Sequence, residues 1–103
     1  MNQKVKQQTL QFLGLARRAG KLATGEATVL AKIRQQEVSV VLLAADVAPA
    51  TKKKFSDKCR FYHVKLDDSF TRAELSAAIG SSRSVIAVTD AGFARKLSQL
   101  LQL

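Results

Sequence analysis

One stretch limits the possible folds more than any other. Val38–Ala45 reads VSVVLLAA, nearly continuously apolar and β-branched at its start. A strand with one wet face alternates apolar and polar residues, so a run without alternation belongs to a sheet covered on both faces by helices. Ser84–Thr89 (SVIAVT) repeats the pattern, and His63–Leu66 is a shorter strand. Helical spacing fills the intervals. Val5, Phe12, Leu13 and Ala16 line a first helix that ends at Arg17, Arg18 and Gly20. A second starts near Thr24, an N-cap candidate, with Glu26 in its first turn and Val29, Leu30 and Ile33 on its apolar face. Pro49 suits the first position of a third helix, which carries Phe55 and Cys59 one turn apart. Thr71-x-x-Glu74 is a capping box for a fourth, which buries Leu75, Ala78 and Ile79 and stops at Gly80. Asp90 caps a fifth, with Phe93, Leu97, Leu100 and Leu101 on one side. Alternating strands and helices predict an α/β fold, a single domain over residues 1–103 with a largely parallel sheet between helical layers.

Charge narrows the partners. The 103 residues include 17 Lys and Arg against 8 Asp and Glu, a net charge of +9. The excess is uneven: residues 1–34 hold Lys4, Lys6, Arg17, Arg18, Lys21, Lys32 and Arg34 against Glu26 alone. Concentrated positive charge repels itself unless something anionic meets it, and nucleic acid is the commonest such partner. The plainer reading is a solvated surface that keeps the chain soluble. The longest apolar run, Val40–Ala45, is far short of the roughly 20 residues that cross a bilayer. The first residues, MNQKVKQQ, have no apolar signal region, and the one cysteine, Cys59, leaves no internal disulfide. A reduced cytoplasm, no membrane contact and a monomer are expected.

Catalysis needs a nucleophile, a base and an orienting group, or a set of metal ligands. His63 is the only histidine, and Cys59 falls on the apolar side of its helix, where a structural thiol is expected. Asp67-Asp68 resembles a carboxylate pair, but adjacent loop residues usually point apart. No GxGxxG or GxxxxGK[ST] phosphate loop occurs. No enzyme, cofactor or metal is expected. The basic clusters are better candidates. Arg17, Arg18 and Lys21 close the first helix, and Lys32 rides on the second. Thr24-Gly25-Glu26 opens that second helix, where free backbone N–H groups and the positive dipole end receive phosphate, and Gly25 admits a close backbone approach. Ser81-Ser82-Arg83-Ser84 offers hydroxyls and a guanidinium between a helix end and a strand. Lys52-Lys53-Lys54 reads as a solvated face, because cations at a helix start oppose the dipole, with phosphate contact as the lesser alternative.

Four segments in order, FLGLARRAGKLATGE (Phe12–Glu26), VVLLAADVAP (Val40–Pro49), LSAAIGSSR (Leu75–Arg83) and VTDAGFARKL (Val88–Leu97), span nearly the whole chain. With these marks the chain resembles the ribosomal family of the large-subunit proteins seven-Ae and thirty-e. The resemblance implies a three-layer α-β-α sandwich on a mixed four-stranded sheet, with a short extra strand near Lys21–Thr24. It also implies binding to structured RNA, often kink-turns, in ribosomes or other ribonucleoproteins. In kink-turn binders a Gly-x-Asn-Glu-x-x-Lys stretch at the start of the second helix reads sheared G·A pairs and phosphates. A Gly-Val-Ser-Arg loop holds a flipped nucleotide, helped by an acidic residue before the proline after the central strand. Gly25 matches the glycine, and Gly80-Ser81-Ser82-Arg83 matches the loop except at Ser81. Ala27, Thr28, Ala31 and Ala48 stand where the motif has Asn, Glu, Lys and the acidic residue. The phosphate-binding parts are therefore present and most base-reading side chains are not, which predicts RNA binding with little kink-turn preference. Two other functions use the same scaffold: a non-catalytic protein adaptor, and the RNA-recognition subunit of a modification enzyme.

Overall fold

The computed structural model describes the whole chain, Met1–Leu103. Its elements are α1 (Gln3–Arg18), β1 (Leu22–Thr24), α2 (Glu26–Arg34), β2 (Val40–Leu43), α3 (Pro49–Phe61), β3 (Lys65–Asp67), α4 (Arg72–Ile79), β4 (Val85–Val88) and α5 (Ala91–Leu101). The two apolar runs are the two central strands of a sheet ordered β1-β4-β2-β3. Every residue of both is buried, and successive side chains serve opposite faces. Val40, Leu42, Ile86 and Val88 enter a core with Leu13, Leu75 and Leu97, beneath α1, α4 and α5. Val41, Leu43, Val85 and Ala87 enter a second core with Val29, Ile33, Phe55 and Cys59, beneath α2 and α3. That is the expected α-β-α sandwich on a mixed four-stranded sheet.

The expectation of largely parallel pairing needs correction. Only β2 and β3 pair in parallel; β4 lies antiparallel to both β1 and β2. The cause is the short α4. Phe70, just after β3, accepts from the Ala45 N–H, and Ser84, just before β4, accepts from the Ala44 N–H. The chain thus leaves β3 and enters β4 at the same end of the sheet, and β4 has to run backwards. The extra strand implied by the family resemblance is present as β1, with Leu22 opposite Val88 and Thr24 opposite Ile86.

Local signals mostly hold. Thr71 and Glu74 form the reciprocal capping box, Asp90 caps α5, Pro49 begins α3, and α4 ends at Gly80 in the left-handed region. On α1 the buried stripe is Thr9, Leu13 and Ala16, whereas Val5 and Phe12 are only half-buried. The Thr9 hydroxyl donates to the Val5 carbonyl at 2.7 Å, which lets a polar residue occupy the buried position. β3 begins at Lys65 instead of His63, because His63 sits in a left-handed turn at φ 59°. Gly14 marks where α1 and α4 touch: a Cβ there would lie 3.0 Å from the Ala78 carbonyl. No helix is long and apolar enough to cross a membrane.

Cys59 is buried, and desolvation pushes its thiol up to about 11. In the native protein the thiol is therefore expected to be silent to Ellman's reagent at pH 8, and to react at once on unfolding in urea. Rapid labelling of the folded protein at pH 8 would contradict that placement.

Candidate nucleic-acid interface

The two helical faces of the sheet are finished differently. On one side α1, α4 and α5 begin with side-chain caps from Asn2, Thr71 and Asp90. On the other, α2 and α3 have none. The N-cap of α2 is Gly25, not Thr24. Thr24 is held in the sheet opposite Ile86, so its hydroxyl is not turned to the helix, and the chain reverses at Gly25 with φ 92° and ψ 150°. A side chain is strained at that φ, and glycine is not. The N–H groups of the first turn of α2 are thus left without a side-chain acceptor, beside an open backbone.

The Gly80–Arg83 loop, the distal loop, closes over this turn. Arg83, 59 residues further along the chain, donates from Nε to the Thr24 hydroxyl at 3.2 Å and from Nη1 to the Ser82 carbonyl at 2.9 Å. A Cβ on Gly25 would lie 4.0 Å from Arg83 Nε. The loop is fastened to α4, with the Ser76 hydroxyl accepting from the Arg83 N–H at 3.0 Å and donating to its carbonyl at 3.2 Å. Arg72 reaches Ser84, and its own N–H donates to Asp46 at 2.8 Å. Thr24, Gly25, Glu26, Ala27, Thr28, Gly80, Ser81, Ser82 and Arg83 therefore converge at one end of the sheet. Glu26, Ala27 and Thr28 are exposed there, as are Gly80 and Ser82, while Ser81 is half-buried.

The other basic candidates lie apart from this end. Arg17 and Arg18 are exposed at the C-terminus of α1. Lys21 is 3.8 Å from Asp90, at the opposite end of β1 from Gly25. Four residue steps of extended chain lead from Lys21 to Gly25, roughly 13 Å at about 3.3 Å per step. Lys32 sits in the last turn of α2 and pairs with Glu37 at 2.8 Å. The structure brings in one cation of the lysine run, the lesser phosphate candidate. Lys54 of α3 pairs with Glu26 at 3.1 Å, beside the first turn of α2. Its neighbours Lys52 and Lys53 pair with Asp68 and Asp57, each at 3.0 Å. The only hint was a lysine run at a helix start, where the dipole disfavours it.

The residues weighed for catalysis are dispersed. Asp67 accepts from the Ser69 N–H and hydroxyl, whereas Asp68 faces Lys52. His63 is exposed on its turn, and Cys59 is in the core.

Comparison with known proteins agrees with this fold. Residues 7–98 match the ribosomal protein L7Ae/L30e/S12e/Gadd45 family. The chain is 40% identical over 102 residues to the RNA-binding protein YlxQ of Enterococcus faecium, covering 99% of each chain. It is 47% identical over 91 residues to the RNA-binding protein YlxQ of Bacillus subtilis (strain 168), covering 87% of this chain and 91% of that one. A solved Bacillus halodurans protein of unknown function superposes with a TM-score of 0.88 at 43% identity, over 92% of this chain and 97% of that one. The 15.5 kD RNA binding protein of Giardia lamblia shares the fold, with a TM-score of 0.83 at 13% identity over 99% of this chain and 88% of that one. The chain belongs to the ribosomal protein L7Ae/L30e/S12e/Gadd45 family.

Proposed function

We propose that this protein binds structured RNA without catalysing a reaction, through the uncapped start of α2 and the distal loop beside it. The observation that carries this reading is the Arg83–Thr24 bond, which sets a guanidinium over an open glycine turn whose helix N–H groups have no side-chain acceptor. A phosphate placed there meets backbone donors, the helix dipole and Arg83 together. Ser81 and Ser82 add polar contacts at the loop, and Lys54 offsets the Glu26 carboxylate that would otherwise face the phosphate. Arg17, Arg18 and Lys21 serve phosphates of the same RNA further along, beyond the far end of β1 from Gly25. Lys32 contributes least, because Glu37 already neutralises it. The names of the YlxQ relatives support RNA as the ligand over an acidic protein partner. Ribosomal RNA is the first probe to use, because the family is one of ribosomal proteins. One copy of the chain acting in the cytoplasm, with no cofactor, is sufficient for this role.

The test is binding to a structured RNA as salt is varied. Arg83→Ala is expected to weaken binding and to lower the slope of log K against log salt by about one unit; Arg17→Ala and Arg18→Ala should each do the same. If wild type binds no structured RNA at low salt, the reading fails and a protein adaptor takes its place. If wild type binds but Arg83→Ala changes neither affinity nor slope, the RNA sits elsewhere.

A further inference from the structure

Phe61 is the most exposed large apolar side chain, at 74%. Packing does not require it: Phe55 and Cys59 are buried in the core from α3, and Tyr62 packs partly buried against the same core. The ring is nevertheless held in place. Tyr62 meets it edge-on, with centroids 4.9 Å apart and planes at 78°. The setting is basic, since Lys58–Lys65 reads KCRFYHVK and contains Lys58, Arg60 and Lys65 but no acid. The nearest carboxylate on α3, Asp57, is held by Lys53 at 3.0 Å and lies 3.8 Å from Arg60. Around the β3 edge, on the α5 side of the sheet, Lys65 lines a cleft of about 250 Å³ with Ser39, Arg95 and Ser98. An aromatic face between cations, followed by a cleft of two hydroxyls and a guanidinium, matches what an unpaired nucleotide offers: a π-face, a phosphate and a sugar.

We propose that the C-terminal end of α3 is a second RNA contact, where one base of a single-stranded segment stacks on Phe61 beside Arg60 and the segment then passes over the β3 edge, laying its next phosphates on Lys65 and Arg95. The proposal rests on the RNA-binding reading above but uses none of its residues. Gly25, whose N–H donates to Val85, and Phe61, close to where Lys65 donates to Ser39, lie at opposite ends of the sheet. They therefore act on different nucleotides, the first on folded RNA and the second on an unpaired flank.

The chain has no tryptophan, so Phe61→Trp places a single indole fluorophore at the contact. The probes are a blunt RNA hairpin, and the same hairpin with a ten-nucleotide single-stranded tail. Indole emission from the Phe61→Trp variant is expected to be quenched by the tailed hairpin and not by the blunt one. The tail should tighten binding by wild type and by Phe61→Trp, and Phe61→Leu should lose about 5- to 100-fold of that gain without weakening blunt-hairpin binding. Lys65→Ala and Arg95→Ala should each lower the salt slope by about 0.7 with the tailed RNA only. A blunt hairpin that binds while the tail adds nothing, an unquenched indole, or an equal loss on both RNAs in Phe61→Leu would overturn this contact and leave the main interface standing. If neither RNA binds wild type, both fall. A gain that survives Phe61→Leu in full would also overturn it, and a protein partner would then be the occupant to seek.

Discussion

Leu43→Ala is expected to remove about 2–5 kcal/mol of folding free energy, a large part of the roughly 5–15 kcal/mol that holds a domain of this size. Leu43 is 1% exposed at the end of β2, opposite Val85, in the core under α2 and α3. Neighbours there come from both helices and from β4, so no single element can move in to fill the space. The cost then combines lost burial with a cavity that stays open. Leu15→Ala is the control. Leu15 is 49% exposed on the outer side of α1, and its loss should change stability by less than about 0.5 kcal/mol. Urea unfolding reads both, with the slope m unchanged if only the native core is affected. A loss below about 0.5 kcal/mol for Leu43→Ala would mean that β2 is not the central strand.

The central strands were legible because an uninterrupted apolar run has few other uses, and their burial follows from it. Their direction was not legible. Val40–Leu43 and Val85–Val88 read alike, and nothing in either says that α4 returns the chain to the end it left. That depends on an eight-residue helix and on the two backbone bonds at Ala44 and Ala45. Leu22–Thr24 was invisible to periodicity, since three residues hold too little alternation to detect. Only the family resemblance implied it. Thr24 failed as a cap for the same reason: the strand that claims its backbone was unread, and the hydroxyl faces Arg83 instead.

The proposed RNA site shows a similar division. Gly25 and the Ser82-Arg83 loop were readable as separate polar features, yet their meeting is a property of the fold. The acidic position is instructive. Ala48 leaves the motif's carboxylate missing, but Asp46, two residues earlier in the same loop, accepts from the Arg72 N–H at 2.8 Å. That carboxylate is committed to the start of α4, so it does not replace the missing one. Charge counting also overstated Lys21 and Lys32, because it ignores pairing. Asp90 and Glu37 reduce what those two offer a phosphate, while Arg17 and Arg18 keep theirs.

The triple change Ala27→Asn, Thr28→Glu, Ala31→Lys should turn a weakly selective RNA binder into one that prefers a kink-turn over a plain duplex. Ala27 and Thr28 are exposed in the first turn of α2, and Ala31 is half-buried one turn on. The new side chains therefore enter next to Gly25 and Arg83, which already supply the phosphate-binding geometry. One good base contact is worth about 1–3 kcal/mol, so the preference should grow by at least that amount. The fold should tolerate the change. Asparagine costs α2 under about 1 kcal/mol in helix propensity, and a glutamate in the first turn returns part of it through the dipole. Salt separates the two kinds of contact. Phosphate binding weakens steeply as salt rises, whereas the gain from base reading should persist at high salt. The measurement is the ratio of kink-turn to duplex affinity for wild type and variant at two salt concentrations, with circular dichroism to confirm the fold. Selective, tight kink-turn binding by the wild type would show that Thr28 and the backbone suffice for recognition. No gain in a folded variant would remove the start of α2 from the interface, and the Lys54 side of α3 would be the surface to examine next.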